Sequence, residues 1–138
     1  MFTFERTVAY SETDRMGITH HSNYVKFMED TRVAYLRAIG LPFEKMEEAG
    51  VLSPVVSVNV NYKTPSTFAD VLVIELKVAK YTGVKLEVEY TMTNKESGAV
   101  VATASSSHAF LYENKVCSLK KVMPDADELL RKELELSK

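Results

Sequence analysis

One stretch of three- and four-residue spacing, followed mostly by two-residue alternation, limits what this chain can fold into. From Asn23 to Ile39 the apolar residues Tyr24, Phe27, Met28, Ala34, Tyr35, Ala38 and Ile39 recur as one stripe of an amphipathic helix. Ser22 or Asn23 is placed to cap it, and Gly40 and Pro42 end it. Phe43, Met46 and Ala49 line a second, short helix ending at Gly50. Then Val56, Val58, Val60 and Tyr62 alternate with polar residues, and Leu72, Ile74, Leu76 and Val78 repeat the pattern. Val84, Leu86, Val88, Tyr90 and Met92 make the clearest strand, and Asn94 to Gly98 reads as a hairpin loop. Residues 99 to 112 read as a long strand of small and β-branched residues, with Cys117 in a short sixth strand. Ahead of the helix, Phe2, Phe4, Val8 and Tyr10 share the buried face of a first strand. Pro124, with Asp125, Asp127 and Glu128 behind it, opens a polar C-terminal helix over about 124–136. Strands joined by short hairpins are antiparallel. The expectation is an α+β domain in which such a sheet covers the apolar stripe of one long helix.

At 138 residues the length suits a single domain, with no repeat or linker dividing it. Charged residues make up 26% and the net charge is −2, which argues against a nucleic-acid surface. No apolar run approaches the roughly 20 residues of a membrane span. The start, Met-Phe-Thr-Phe-Glu-Arg, lacks a signal-peptide apolar region, so a cytoplasmic location is expected. Cys117 is the only cysteine, which leaves neither an internal disulfide nor a cysteine-based metal site. No metal is expected at the adjacent His20 and His21 either, since neighbours on a loop converge poorly and no further ligand stands at a recognised spacing.

The reactive side chains gather in residues 10 to 32, on a loop that runs into the long helix. Asp14 is either a turn aspartate bonding its own backbone or a carboxylate for catalysis. Gly17 is either a turn glycine or a point where bare backbone N–H groups can approach a developing negative charge, as helix N-termini favour. His21 either solvates the loop or bonds a substrate carbonyl. Tyr10 packs in the core or positions substrate. Glu29 is a helix acid placed to pair with Arg32 or Lys26. Asn59, on the face opposite Val58 and Val60, is a candidate for a pocket wall. His108 reads as a strand histidine satisfied by its neighbours. Met16, Phe27, Met28, Met46 and Phe68 read as core.

Tyr10, Thr13-Asp14, Gly17, His21, Asn23-Tyr24, Phe27, Glu29 and Arg32, with Ser57 to Tyr62, Pro65 and Asp70-Val-Leu72, form a pattern. It resembles the hotdog-fold acyl-CoA thioesterases, specifically the 4-hydroxybenzoyl-CoA thioesterase family and its Tol–Pal-associated branch. The resemblance covers about residues 4–122. It implies the hotdog fold, an antiparallel sheet of five or six strands wrapped around one long central helix. It implies hydrolysis of an acyl thioester to a carboxylic acid and free CoA, with no cofactor beyond the CoA of the substrate. An acyl carrier protein is a possible second donor.

On the same resemblance Asp14 is the nucleophile or the general base, both of which thioester hydrolysis admits. Gly17 marks backbone polarisation of the thioester carbonyl, His21 is the motif histidine rather than His20, and Tyr10 positions substrate. Ile18, Asn23 and Asn59 join them as substrate-binding residues. The active site of such folds lies between the subunits of a homodimer or homotetramer. Two other functions fit the fold: a hydratase or dehydratase acting on acyl thioesters, and a non-catalytic acyl-thioester-binding module. The spacing of Asp14, Gly17 and His21 favours the hydrolase over the first. A carboxylate that is costly to bury beside a thioester argues against the second.

Overall fold

The computed structural model describes all 138 residues, and its strands and helices follow the periodicities closely. In chain order they are β1 (Phe2–Thr7), α1 (Asn23–Ala38), α2 (Phe43–Glu48), β2 (Val51–Leu52), β3 (Val55–Tyr62), β4 (Val71–Tyr81), β5 (Lys85–Asn94), β6 (Val100–Ala109), β7 (Leu111–Tyr112), β8 (Lys115–Val116), α3 (Leu119–Val122) and α4 (Pro124–Leu136). The main sheet has five antiparallel strands in the order β1-β4-β5-β6-β3, and β2, β7 and β8 make a small second sheet. No helix is long and apolar enough to cross a membrane.

Alternation puts Leu72, Ile74, Leu76 and Val78 of β4 and Leu86, Val88, Tyr90 and Met92 of β5 on one buried face. Tyr24, Phe27, Met28, Tyr35 and Leu36 of α1 join them in the core. On β6 the buried positions include Ala102, Ala104 and Ser106, small residues beside which larger ones can pack. The strand β3 behaves differently. It is an edge strand, bonded only to β6, and every residue but the half-buried Val60 is exposed.

Several local expectations are corrected. The first strand stops at Thr7, because the chain turns at Ala9, whose N–H donates to Glu12 Oε1 at 2.7 Å. Tyr10 therefore leaves the core and lies in a short 3-10 turn, 76% exposed, edge-on to Phe68. Met16 and Phe68, expected inside, are exposed as well. Neither Ser22 nor Asn23 caps α1 with its side chain: Ser22 Oγ bonds His20 Nδ1, and Asn23 Nδ2 donates to the carbonyl of Glu12. Cys117 falls just beyond the two-residue β8.

Candidate functional site

The loop between β1 and α1 is shaped by one aspartate. Asp14 Oδ1 accepts the N–H of Met16 at 2.8 Å and its carbonyl accepts the N–H of Gly17 at 3.0 Å, while its own N–H donates to the carbonyl of Ile18. Gly17 sits at φ +79°, the left-handed region in which a side chain is strained. Its carbonyl accepts the hydroxyl of Thr67 at 2.6 Å. Two residues on, Thr19 donates its N–H to the carbonyl of Ser66 at 2.8 Å, and its hydroxyl lies 2.7 Å from Ser66 Oγ. That same Oγ is 2.8 Å from the Tyr24 hydroxyl. The buried Ser66 thus ties the loop, α1 and the turn after β3 together.

Behind the loop is a buried carboxylate that sequence reading passed over. Glu12, 3% exposed, accepts from Ala9 N–H, from Arg6 and, at 3.1 Å, from Lys26. Burial alone would raise its pKa, but these donors overcome burial and hold it below the usual glutamate value. Lys26 is thereby taken by Glu12, and Glu29 forms an ion pair with neither Lys26 nor Arg32, contrary to expectation. No period in the sequence marks Glu12 as this acceptor, because its donors Arg6 and Ala9 lie before the turn that carries it.

The cavity over the loop measures about 250 Å³ and is lined by Asp14, Ile18, His21, Tyr24, Tyr62 and Lys63 among others. Three of the residues singled out in the sequence, Asp14, Ile18 and His21, meet there. Tyr10, Gly17, Asn23 and Asn59 do not line it. Asn59 is exposed on β3 and accepts from Asn61 Nδ2 at 3.1 Å. Tyr62 and the Lys63–Pro65 turn supply the opposite wall. The only sequence signal for that wall is the turn character of Lys63-Thr-Pro-Ser-Thr.

Backbone donors are also distributed differently from expectation. The Gly17 N–H is used within the turn, so it offers nothing to a ligand. The N–H groups of Ile18 and His21, both on cavity-lining residues, have no acceptor within the chain. His21 lies just ahead of α1, at the positive end of a 16-residue helix. Its ring stacks on His20 with centroids 4.3 Å apart. Asp14 Oδ2 is likewise without a hydrogen bond, since only Oδ1 is engaged. Asp14, with an unengaged carboxylate oxygen, and Ile18 and His21, with unspent N–H groups, thus line one cavity. That pairing suits attack on a carbonyl carbon whose oxygen gains charge. No group of three or more His, Cys, Asp or Glu side chains is arranged to hold a metal ion.

Comparison with known proteins shows what the chain is similar to. A family model described as the thioesterase-like superfamily matches residues 8–131. YneP of Bacillus subtilis, provisionally named an acyl-CoA thioesterase, is 37% identical over 123 residues, 88% of each chain. The acyl-CoA thioesterase YbgC of Haemophilus influenzae is 29% identical over 89 residues, 64% of this chain and 65% of that one. Among solved structures, the DHNA-CoA thioesterase of Staphylococcus aureus superposes with a TM-score of 0.91 at 29% identity, covering 97% of this chain and 91% of the other.

Proposed function

The chain belongs to the thioesterase-like superfamily, and from that membership we propose that it hydrolyses an acyl-CoA thioester to a carboxylic acid and free CoA. The observation that carries the assignment to this cavity is the meeting of the unengaged Asp14 Oδ2 with the open N–H groups of Ile18 and His21. The thioester carbonyl oxygen takes one or both N–H groups. Such a donor is worth about 3 kcal/mol of barrier when the oxygen becomes an oxyanion. Asp14 then acts on the carbonyl carbon in one of two ways. As nucleophile it forms a mixed anhydride, the C–S bond breaks, and water later cleaves the anhydride. As general base it draws a proton from water, which attacks directly. In both, one water is consumed and the thiolate of CoA leaves with a proton.

Within the superfamily, the 4-hydroxybenzoyl-CoA branch is supported by the Asp14–Gly17–His21–Asn23–Tyr24 motif alone. A homodimer is supported by β3, whose exposed valines and open edge suit pairing with a second copy. CoA rather than an acyl carrier protein is the favoured donor because the relatives' names specify it. A cytoplasmic setting agrees with the lone, unpaired Cys117.

The test is thiol release from acetyl-, butyryl-, hexanoyl-, palmitoyl- and benzoyl-CoA by wild type and Asp14→Asn. Asparagine can still accept the Met16 N–H, so the turn survives while the carboxylate is lost. Turnover should fall by about 10²–10⁴-fold. Undiminished turnover in the folded variant would remove Asp14 from the chemistry. Label found in the Asp14 carboxylate after single turnover in ¹⁸O-water identifies the nucleophilic route, because water that attacks the Asp14 carbonyl of the anhydride leaves its oxygen there and the general-base route cannot.

A further inference from the structure

Arg32 is the one arginine or lysine buried in the core, 4% exposed, and no carboxylate lies within ion-pairing distance of it. Its guanidinium rests over the Phe43 ring, 5.2 Å from the centroid, and its buried Nη1 donates to nothing. Taking a guanidinium out of water without an acceptor is costly, so such a group implies an occupant. A second unpartnered atom belongs to His108 on β6, which is 1% exposed. Its Nε2 lies 2.7 Å from Ser106 Oγ, which lies 2.9 Å from the Tyr90 hydroxyl, while its Nδ1 has no partner.

Both groups line one cavity of about 80 Å³, together with Tyr90, Ser106, Met28 and Val58. That is several times the space one water needs. Burial, and then the charge of Arg32, push the His108 pKa down to about 3, so the ring is neutral. With Tyr90 donating to Ser106, and Ser106 to Nε2, the ring proton stands on Nδ1. A positive fork and a neutral N–H then offer hydrogens to the same space. A carboxylate, with its charge and two acceptor oxygens, matches them. Glu29 also lines this space and its charge acts on Arg32, but it is exposed and beyond ion-pairing distance of the guanidinium.

The position of this cavity relates it to Asp14. Val25, Met28 and Arg32 follow one another at helical spacing on one ridge of α1, and His21 stands just ahead of its first turn. The strand β3 runs beside that ridge, with Tyr62 at the Asp14 cavity and Val58 at the Arg32 cavity. Arg32 stands roughly 14 Å from the start of α1 at Asn23 along the helix axis, at 1.5 Å per residue. A substrate carbonyl at His21 can thus send its acyl chain along the ridge toward the guanidinium.

We propose that the Arg32–His108 cavity receives a carboxylate at the far end of the acyl chain, so that the substrate is the CoA thioester of a dicarboxylic acid. This rests on the thioesterase reading above and names its substrate class.

The experiment compares kcat/KM for adipoyl-, suberoyl- and dodecanedioyl-CoA with hexanoyl-, octanoyl- and dodecanoyl-CoA, in wild type and Arg32→Met. At least one dicarboxylic substrate should exceed its neutral counterpart of equal carbon number by tenfold or more. Arg32→Met should abolish that preference, bringing the dicarboxylic substrates down to the level of their neutral counterparts. A binding measurement runs beside it: free adipate and suberate, against hexanoate and octanoate, as stabilisers in thermal unfolding. The diacids should raise the Tm of wild type and not of Arg32→Met. His108→Gln provides a second variant and should weaken the diacid preference in the same direction. Hydrolysis of neutral thioesters with no diacid preference and no diacid stabilisation would overturn this inference and leave the thioesterase reading standing. Stabilisation by diacids without hydrolysis of any thioester would uphold the carboxylate site and overturn the thioesterase reading instead.

Discussion

Tyr62 donates its hydroxyl hydrogen to the carbonyl oxygen of His21 at 3.2 Å, joining the end of the edge strand to a residue whose N–H is open to the cavity. The bond bridges the two walls of the site. Its removal in Tyr62→Phe should cost about 1 kcal/mol of transition-state stabilisation, roughly a fivefold loss in kcat/KM. Stability should hardly change, because the ring is 52% exposed. Steady-state kinetics and a urea midpoint measured on one preparation check both halves.

Ser66→Ala should behave in the opposite manner. Ser66 is 2% exposed, and its hydroxyl meets both Thr19 and Tyr24. Without it the Tyr24 hydroxyl is left buried and unpartnered. The expected loss is about 2 kcal/mol of folding free energy, seen as a lower urea midpoint. An unchanged midpoint would show that Ser66 does not tie the loop down.

Glu12 should govern part of the acid response. Its folded pKa lies below the usual 4.5 because Ala9, Arg6 and Lys26 overcome the effect of burial. Its contribution to stability is therefore complete above that usual value, and is lost as pH falls through the lowered folded one. Glu12→Gln should destabilise by about 2 kcal/mol at neutral pH and flatten the stability curve below pH 4.5. Urea unfolding from pH 7 to 3 is the measurement.

His108 acts higher on the pH scale. The unfolded chain takes up a proton near pH 6.5, and the folded one holds off until about 3, because burial and then Arg32 oppose the charge. Between those values the unfolded state binds the additional proton. Stability thus falls as pH falls, by up to about 1.4 kcal/mol per unit. His108→Gln should remove one proton's worth of that slope between pH 6 and 5, above the range where carboxylates titrate.

Most of the fold was legible because burial leaves a period in the sequence. The stripe from Tyr24 to Ile39 and the alternation of β4 and β5 correspond closely to what packs together. The first strand was overrun because Tyr10 continues the alternation by coincidence. The turn that interrupts it is closed by Glu12 reaching back to Ala9, a contact that no period records. At the cavity, Asp14 and His21 were named by their chemistry together with the family resemblance, and Ile18 by the resemblance alone. Tyr62 and Lys63 were not, since only the pairing of β3 with β6 brings them opposite the loop. The open backbone donors were read only in part: N–H groups near the start of α1 were expected, but not which residues carry them. Gly17 is the residue that stands out in the sequence, yet its N–H is spent within the turn, while ordinary Ile18 and His21 keep theirs open.

The strand order β1-β4-β5-β6-β3 also has a consequence in time. The central three strands are a continuous meander from Val71 to Ala109, built from neighbouring hairpins with low closure entropy. The outer strands precede the meander and pair with it over long separations, Thr7 with Val71 and Tyr62 with Ala102. The loop bearing Asp14 hangs from both of them, through Glu12 to Arg6 on β1 and through Thr19 to Ser66 just past β3. The cavity is therefore completed after the meander has formed. Mutations that loosen it should hasten unfolding while leaving the folding rate nearly untouched.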